Sequence, residues 1–149
     1  RRLARRDGGP VSILIIGLLG VVLLLVLGGV DVTAAQIARA RLLDASDSAA
    51  LEAANALDAA AAYKGGIGDS VVVSNGTVER AVEDNLAARP MPYGISTWQI
   101  ASGTGTSDGR TAVVVLHGVA DLPMTGGLLA ALGKSVTITV ESRARAPLR

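Results

Sequence analysis

The chain has no cysteine and no phenylalanine, one tryptophan, two tyrosines and one histidine in 149 residues. Without Cys there is no disulfide framework, no thiolate nucleophile and no Cys-based zinc or iron–sulfur site. Aromatics are 2% against 50% hydrophobics, so any core has to be built from Val, Leu, Ile and Ala. The formal net charge of +1 supplies no general field for nucleic acid, and no nucleic-acid partner is expected. His117 lies in "VVVLHGV" with neither a second His nor a Cys beside it, so a structural place on a strand is expected rather than metal or base chemistry. Glu79, Glu83, Asp84 and Arg80 read as a solvated helix face. With no convergent acid–base or nucleophile set, neither enzymatic activity nor a cofactor or metal is expected.

What the sequence does contain is one long apolar run. Val11 to Val30, "VSILIIGLLGVVLLLVLGGV", holds fifteen Val, Ile or Leu residues, four Gly, one Ser and no charge. As a helix it spans roughly 30 Å, the thickness of a bilayer core. At about −0.3 to −0.6 kcal/mol for each such residue, the run contributes on the order of −5 to −9 kcal/mol to insertion. Arg1, Arg2, Arg5 and Arg6 precede it, whereas Asp31 and Arg39 are the first charges after it. This bias predicts a cytoplasmic N-terminus and an exported remainder. Retention is expected over cleavage, because a signal h-region is about 7 to 15 residues and no A-x-A site directly follows. Gly17, Gly20, Gly28 and Gly29 either admit a neighbouring helix or loosen this one, and Gly29 with Thr33 has small-xxx-small spacing. Asp31, at the outer boundary, is an interfacial charge that either is simply solvated, orients the span or meets a basic group on a neighbouring subunit.

From Asp31 to Lys64 the chain is Ala-rich, free of Pro and Gly, and stopped by Gly65-Gly66. Ala35, Ala38, Leu42, Ala45, Ala49, Ala53, Ala56, Ala60 and Tyr63 recur at three- and four-residue steps, a stripe suited to close approach by a helix or a sheet. Arg39, Asp44, Asp47, Asn55 and Asp58 fall off the stripe, and Arg41 is one turn from Asp44, within pairing reach. Span and stalk together predict a near-continuous helix of about fifty residues, roughly 75 Å.

That outline is pilin-like. "RDGGPVSILIIGLLGVVLLLVLGGVDV" followed by "ARARLLDASDSAALEAANAL" resembles the N-terminal region of the TadE/TadG-like pilus-assembly proteins of the tight-adherence (Flp-type) system, over roughly Arg6 to Leu57. The resemblance implies a minor pilin-like, non-catalytic component anchored in the lipid bilayer. Its partners would be other pilin or pilus-assembly subunits, in a homo- or hetero-oligomer. Prepilin peptidase substrates carry Gly before the cut and Glu at the fifth position after it. Here a cut after Gly8 or Gly9 places Ile13 or Leu14 there, favouring an uncleaved assembly factor over a major filament subunit.

Beyond Gly68 the pattern turns strand-like. "SVVVS" is a strand candidate, and "TVERAVEDNLAA" reads as a helix capped by Thr77 and stopped by Pro90 and Pro92. "GISTWQIAS" and "RTAVVVLHGVA" flank "GTGTSDG" and predict a hairpin. "TGGLLAALG" reads as a short helix and "KSVTITVESRARA" as a last strand with Val136, Ile138 and Val140 on one side. The order suits a ferredoxin-like split unit or a meander packed on the long helix.

"LPMTG", residues 122–126, fits the sortase pattern, but Lys134 and Glu141 interrupt the apolar run a sorting signal needs, so a turn before a short helix is expected. The remaining alternative function is a surface-displayed binding protein anchored by its N-terminal helix, with or without that tether. The predicted fold class is α+β: a long N-terminal transmembrane and stalk helix, then a small domain with an antiparallel sheet of three to four strands and one or two short helices. The expected divisions are a basic cytoplasmic segment (1–10), a transmembrane helix (11–30), an extracytoplasmic helix continuing it (31–64) and an extracytoplasmic α+β domain (65–149).

The full chain should remain in alkali-washed membranes. Leu23→Arg, costing about 2.5–3.5 kcal/mol near mid-span, should lower the membrane-retained fraction measurably.

Overall fold

The computed structural model describes residues 9–64 and 75–145, with side chains placed for 11–60 and 75–145. One helix, α1 (Gly9–Lys64), runs unbroken for 56 residues, about 84 Å. Pro10 falls in its first turn, where a missing N–H costs no internal bond, and the four glycines of the apolar half do not interrupt it. Among the described residues, two short helices and three strands follow: α2 (Asn75–Ala87), β1 (Ile95–Ile100), β2 (Thr111–Ala120), α3 (Gly126–Ala131) and β3 (Val136–Arg145). The chain is thus α+β, a long apolar helix followed by a small antiparallel sheet and short helices.

The sheet is a meander in the order β1-β2-β3. β3 lies against β2 over its whole length, from Thr111 opposite Arg145 to Ala120 opposite Val136. A split ferredoxin-like unit would pair its last strand with its first, so the described strands follow the meander instead. The connection through six-residue α3 is short and returns the chain beside the strand it has just left. The "SVVVS" candidate lies outside the described residues.

α2 starts at Asn75, two residues before the expected Thr77 cap. The Asn75 side-chain oxygen accepts the Thr106 N–H at 2.9 Å, which ties the helix start to the β1–β2 hairpin loop. Gly105 makes this contact possible, since a Cβ there would stand 2.5 Å from that oxygen. α2 then buries Val78, Val82 and Leu86 at four-residue spacing.

Alternation along β2 sends Ala112, Val114, Leu116, Gly118 and Ala120 to the inner face. On β3, Val140 and Ser142 are buried on that face, with Val136, Ile138 and Ala144 half-buried beside them. The outer face is rimmed by Thr97, Gln99, Thr139, Glu141 and Arg143, which suits an antiparallel sheet with one solvated side.

What covers the inner face is α1 itself. Ala38, Leu42, Ala45, Ala49, Ala53 and Ala60 are buried and Ala35 and Ala56 half-buried, while the Tyr63 side chain lies outside the described residues. The buried band is wider than a simple three–four stripe, because it also takes in Ser46, Ala50, Ala54 and Leu57. The reason is that α1 serves two partners, the sheet on one flank and α2 on the next.

Approach is closest at Gly118, in the middle strand. A Cβ there would lie 2.9 Å from Leu42 Cδ2, so the glycine makes the socket into which Leu42 fits. Gly118→Val should therefore destabilise the domain by about 1–3 kcal/mol through overpacking, and Leu42→Ala by about 2–5 kcal/mol through loss of its contacts. In the double variant the two volume changes offset each other. Denaturation in detergent should show a combined loss smaller than the sum of the two single losses.

Candidate functional site

α1 changes character at Asp31. On its N-terminal side every Val, Ile and Leu from Val11 to Val30 is exposed, between 39 and 74% of its surface. Its Val, Ile and Leu side chains point to all sides of the helix there, and none of them is buried by the described residues. Its length and composition suffice to cross a membrane. Arg1, Arg2, Arg5 and Arg6 lie outside the described residues. At Gly17, Gly20, Gly28 and Gly29 nothing stands within 4 Å of where a Cβ would be, so each leaves open space on the helix surface. Gly29 and Thr33 meet within the helix, the Thr33 hydroxyl donating to the Gly29 carbonyl at 2.9 Å. Both line a shallow open hollow with Val26, Val30, Ala34 and Ile37.

On the C-terminal side, four polar residues of α1 reach the head at successive heights. Asp31 is buried and accepts from the N–H of Met124 (2.9 Å), the N–H of Thr125 (2.8 Å) and the Thr125 hydroxyl. Arg41 donates to the Tyr93 carbonyl at 2.6 Å and stands 5.4 Å from the centre of the Tyr93 ring, a cation–π contact. Ser46 donates to the Val114 carbonyl at 3.3 Å, and Asp47 accepts from the Ser142 hydroxyl. From Asp31 to Asp47 these anchors span about 24 Å of helix.

Two readings of the sequence change here. Arg41 does not pair with Asp44: its guanidinium goes to Tyr93, where a fixed carbonyl and a ring face offer more than a solvated carboxylate one turn away. Asp47, which falls off the alanine stripe, is nonetheless held by β3. The "LPMTG" segment forms a turn over 123–125 leading into α3, and its threonine is occupied by Asp31. Gly133, at φ +66°, closes α3, with Gly133 N–H on the Ala130 carbonyl and Lys134 N–H on the Leu129 carbonyl.

His117 sits half-buried on the outer face of β2, opposite Gln99 and Thr139 in register. "GTGTSDG" forms the hairpin tip. Asp108 there accepts the N–H groups of Arg110 (2.9 Å) and Thr111 (2.6 Å) and the Thr111 hydroxyl (2.8 Å). These bonds, the Arg110 N–H foremost, hold its carboxyl well below the usual carboxylate range. Among the described residues no group of three or more His, Cys, Asp or Glu is placed to hold a metal ion.

Sequence reasoning missed the partners of Asp31, Arg41 and Ser46, each fifty or more positions away along the chain. It also missed the socket at Gly118, for which a glycine inside an apolar strand was the available signal.

The Asp31 carboxyl is held below its ordinary range chiefly by the Thr125 hydroxyl, with the Met124 and Thr125 N–H groups adding to this and burial opposing it. A depressed folded-state pKa stabilises above the unfolded value, about 3.9, and that stabilisation fades as pH falls through the folded value. Asp31→Asn should therefore lower Tm most at neutral pH. The gap from wild type should narrow as the pH drops below about 4.

Residues 9–56 match the model of a family described as putative Flp pilus-assembly TadE/G-like. No curated protein and no solved structure matches the chain. Over those residues, which cover nearly all of the long helix, the chain carries a TadE/G-like region and fits a membrane-anchored component associated with pilus assembly.

Proposed function

We propose that the chain is a minor pilin-like subunit of a Flp-type pilus assembly and secretion system, acting by packing and subunit association. The observation that carries this reading is the division of one rigid helix into two environments. Residues 11–30 are apolar on every side and unclaimed by their own chain, whereas residues 31–60 are claimed by the head along a continuous band. Such a rod anchors in lipid at one end and presents a folded domain at the other.

In this reading residues 1–10 are cytoplasmic, with Arg1, Arg2, Arg5 and Arg6 holding that side by the positive-inside bias. Residues 11–30 span the bilayer, 31–64 continue the helix outside, and 65–149 form the extracytoplasmic head. Gly17, Gly20, Gly28, Gly29 and Thr33 offer low points at which a neighbouring membrane helix approaches closely. The stalk residues Ala35 to Ala60 engage the chain's own sheet and α2, so contacts with other subunits fall to the membrane half and to the outer surface of the head.

The TadE/G-like match supports this reading, because it falls on the helix that would do the packing. The sortase-tether alternative finds no support in the geometry, since Thr125 is bonded to Asp31 by both its N–H and its hydroxyl.

Mechanical shearing of cells provides the test. A subunit that enters or caps the filament leaves with the sheared fraction, together with other pilin subunits on copurification. A chain that stays wholly with the cells and brings down no pilus component would count against the proposal. Gly28→Leu combined with Gly29→Leu should weaken that copurification without loss of membrane retention.

A further inference from the structure

We infer that α3 and the turn before it form a second membrane contact, a short apolar foot by which the head rests on the outer surface of the bilayer. Met124, Leu128 and Leu132 recur at four-residue spacing and are exposed by 50, 66 and 66%. Leu128 lies on α3, none of whose residues is buried, with Met124 exposed in the turn before it and Leu132 exposed at its C-cap. Leu129, on the opposite side, is the one that leans on the core.

The height of these side chains along α1 is set by contacts already described. Ser46 meets Val114, Leu42 meets Gly118 and Asp31 meets Met124 and Thr125, so β2 descends α1 toward the apolar end and the turn continues downward. Asp31 directly follows Val30, the last residue of the apolar run. Met124 is therefore held beside Asp31, the residue that directly follows the apolar run. The foot therefore begins beside the end of the apolar run that the span reading places in lipid. That adjacency singles out the bilayer as its occupant.

Charge agrees with that placement. The Asp31 carboxylate, which would be costly at this depth if bare, has three donors on its oxygens. Lys134, exposed just past the end of α3, is a cation suited to the phosphate level. A short helix with exposed apolar residues and a flanking lysine is suited to lie in the interface plane.

This inference rests on the span reading, and the experiment separates the two. The native chain lacks Cys, so single cysteines can carry an environment-sensitive NBD fluorophore in full-length protein reconstituted into phosphatidylethanolamine–phosphatidylglycerol nanodiscs. Labels at Leu128→Cys and, as a second variant, Leu132→Cys should lose most of their emission to lipids bearing a nitroxide near the headgroup. A label at Thr139→Cys, on the outer sheet face, should not. The inference is overturned if Gly20→Cys is quenched while neither foot position is. It is equally overturned if the foot labels are shielded from aqueous iodide yet untouched by lipid nitroxides, which would mark a protein partner. Lack of quenching at Gly20→Cys by lipids bearing the nitroxide mid-chain would overturn the foot and the span together.

Discussion

The structure depends on the close approach of one side of a small sheet to an alanine-rich helix. A three-stranded sheet with few aromatics has too little apolar area to fold well without a covering layer. Here that layer is the C-terminal half of α1. Alanine on the helix and Gly118 and Ala112 on the middle strand let the two backbones come near, and Leu42 fills the space that remains. The scarcity of large side chains, which by itself reads as a weakness, permits the close approach seen at Gly118 and Leu42. Long helix and sheet consequently share one core.

Apolar burial alone leaves such a sheet free to slide along a near-uniform alanine surface. The polar anchors remove that freedom. Asp31, Arg41, Ser46 and Asp47 each engage a different piece of the head, and a shift by one helical turn would break all four. Directional bonds with few alternatives specify position even where their net contribution to stability is small. The position of the sheet along α1 is thus set by specific side chains.

The two halves of α1 use the same helical geometry with different side chains. Past Asp31 the helix sequesters one broad band and leaves Arg39, Asp44 and Asn55 to water. Before it, Val, Ile and Leu side chains are exposed on all sides and the glycines leave open space between them. The transition takes a single residue, Asp31, whose charge is matched by donors from the loop at 124–125. A carboxylate so matched can stand beside hydrocarbon, where a bare one would draw the helix end outward.

The sequence by itself determined the elements whose signal is local and periodic. The apolar run, the uninterrupted helix to Lys64, the hairpin around "GTGTSDG", the α3 turn and the facing of Val136, Ile138 and Val140 all follow from side-chain spacing and turn residues. The TadE/G-like likeness of the long helix was legible for the same reason, since its composition and length carry the pattern. Tertiary structure decided what spacing does not encode. It chose a meander over a split unit, widened the alanine stripe to serve two partners, turned Arg41 away from Asp44 toward Tyr93, and gave Asp31 a partner ninety-odd positions along the chain. Those choices depend on which surfaces become neighbours once the chain has closed on itself. A pairing between distant residues leaves no periodic trace in a single sequence.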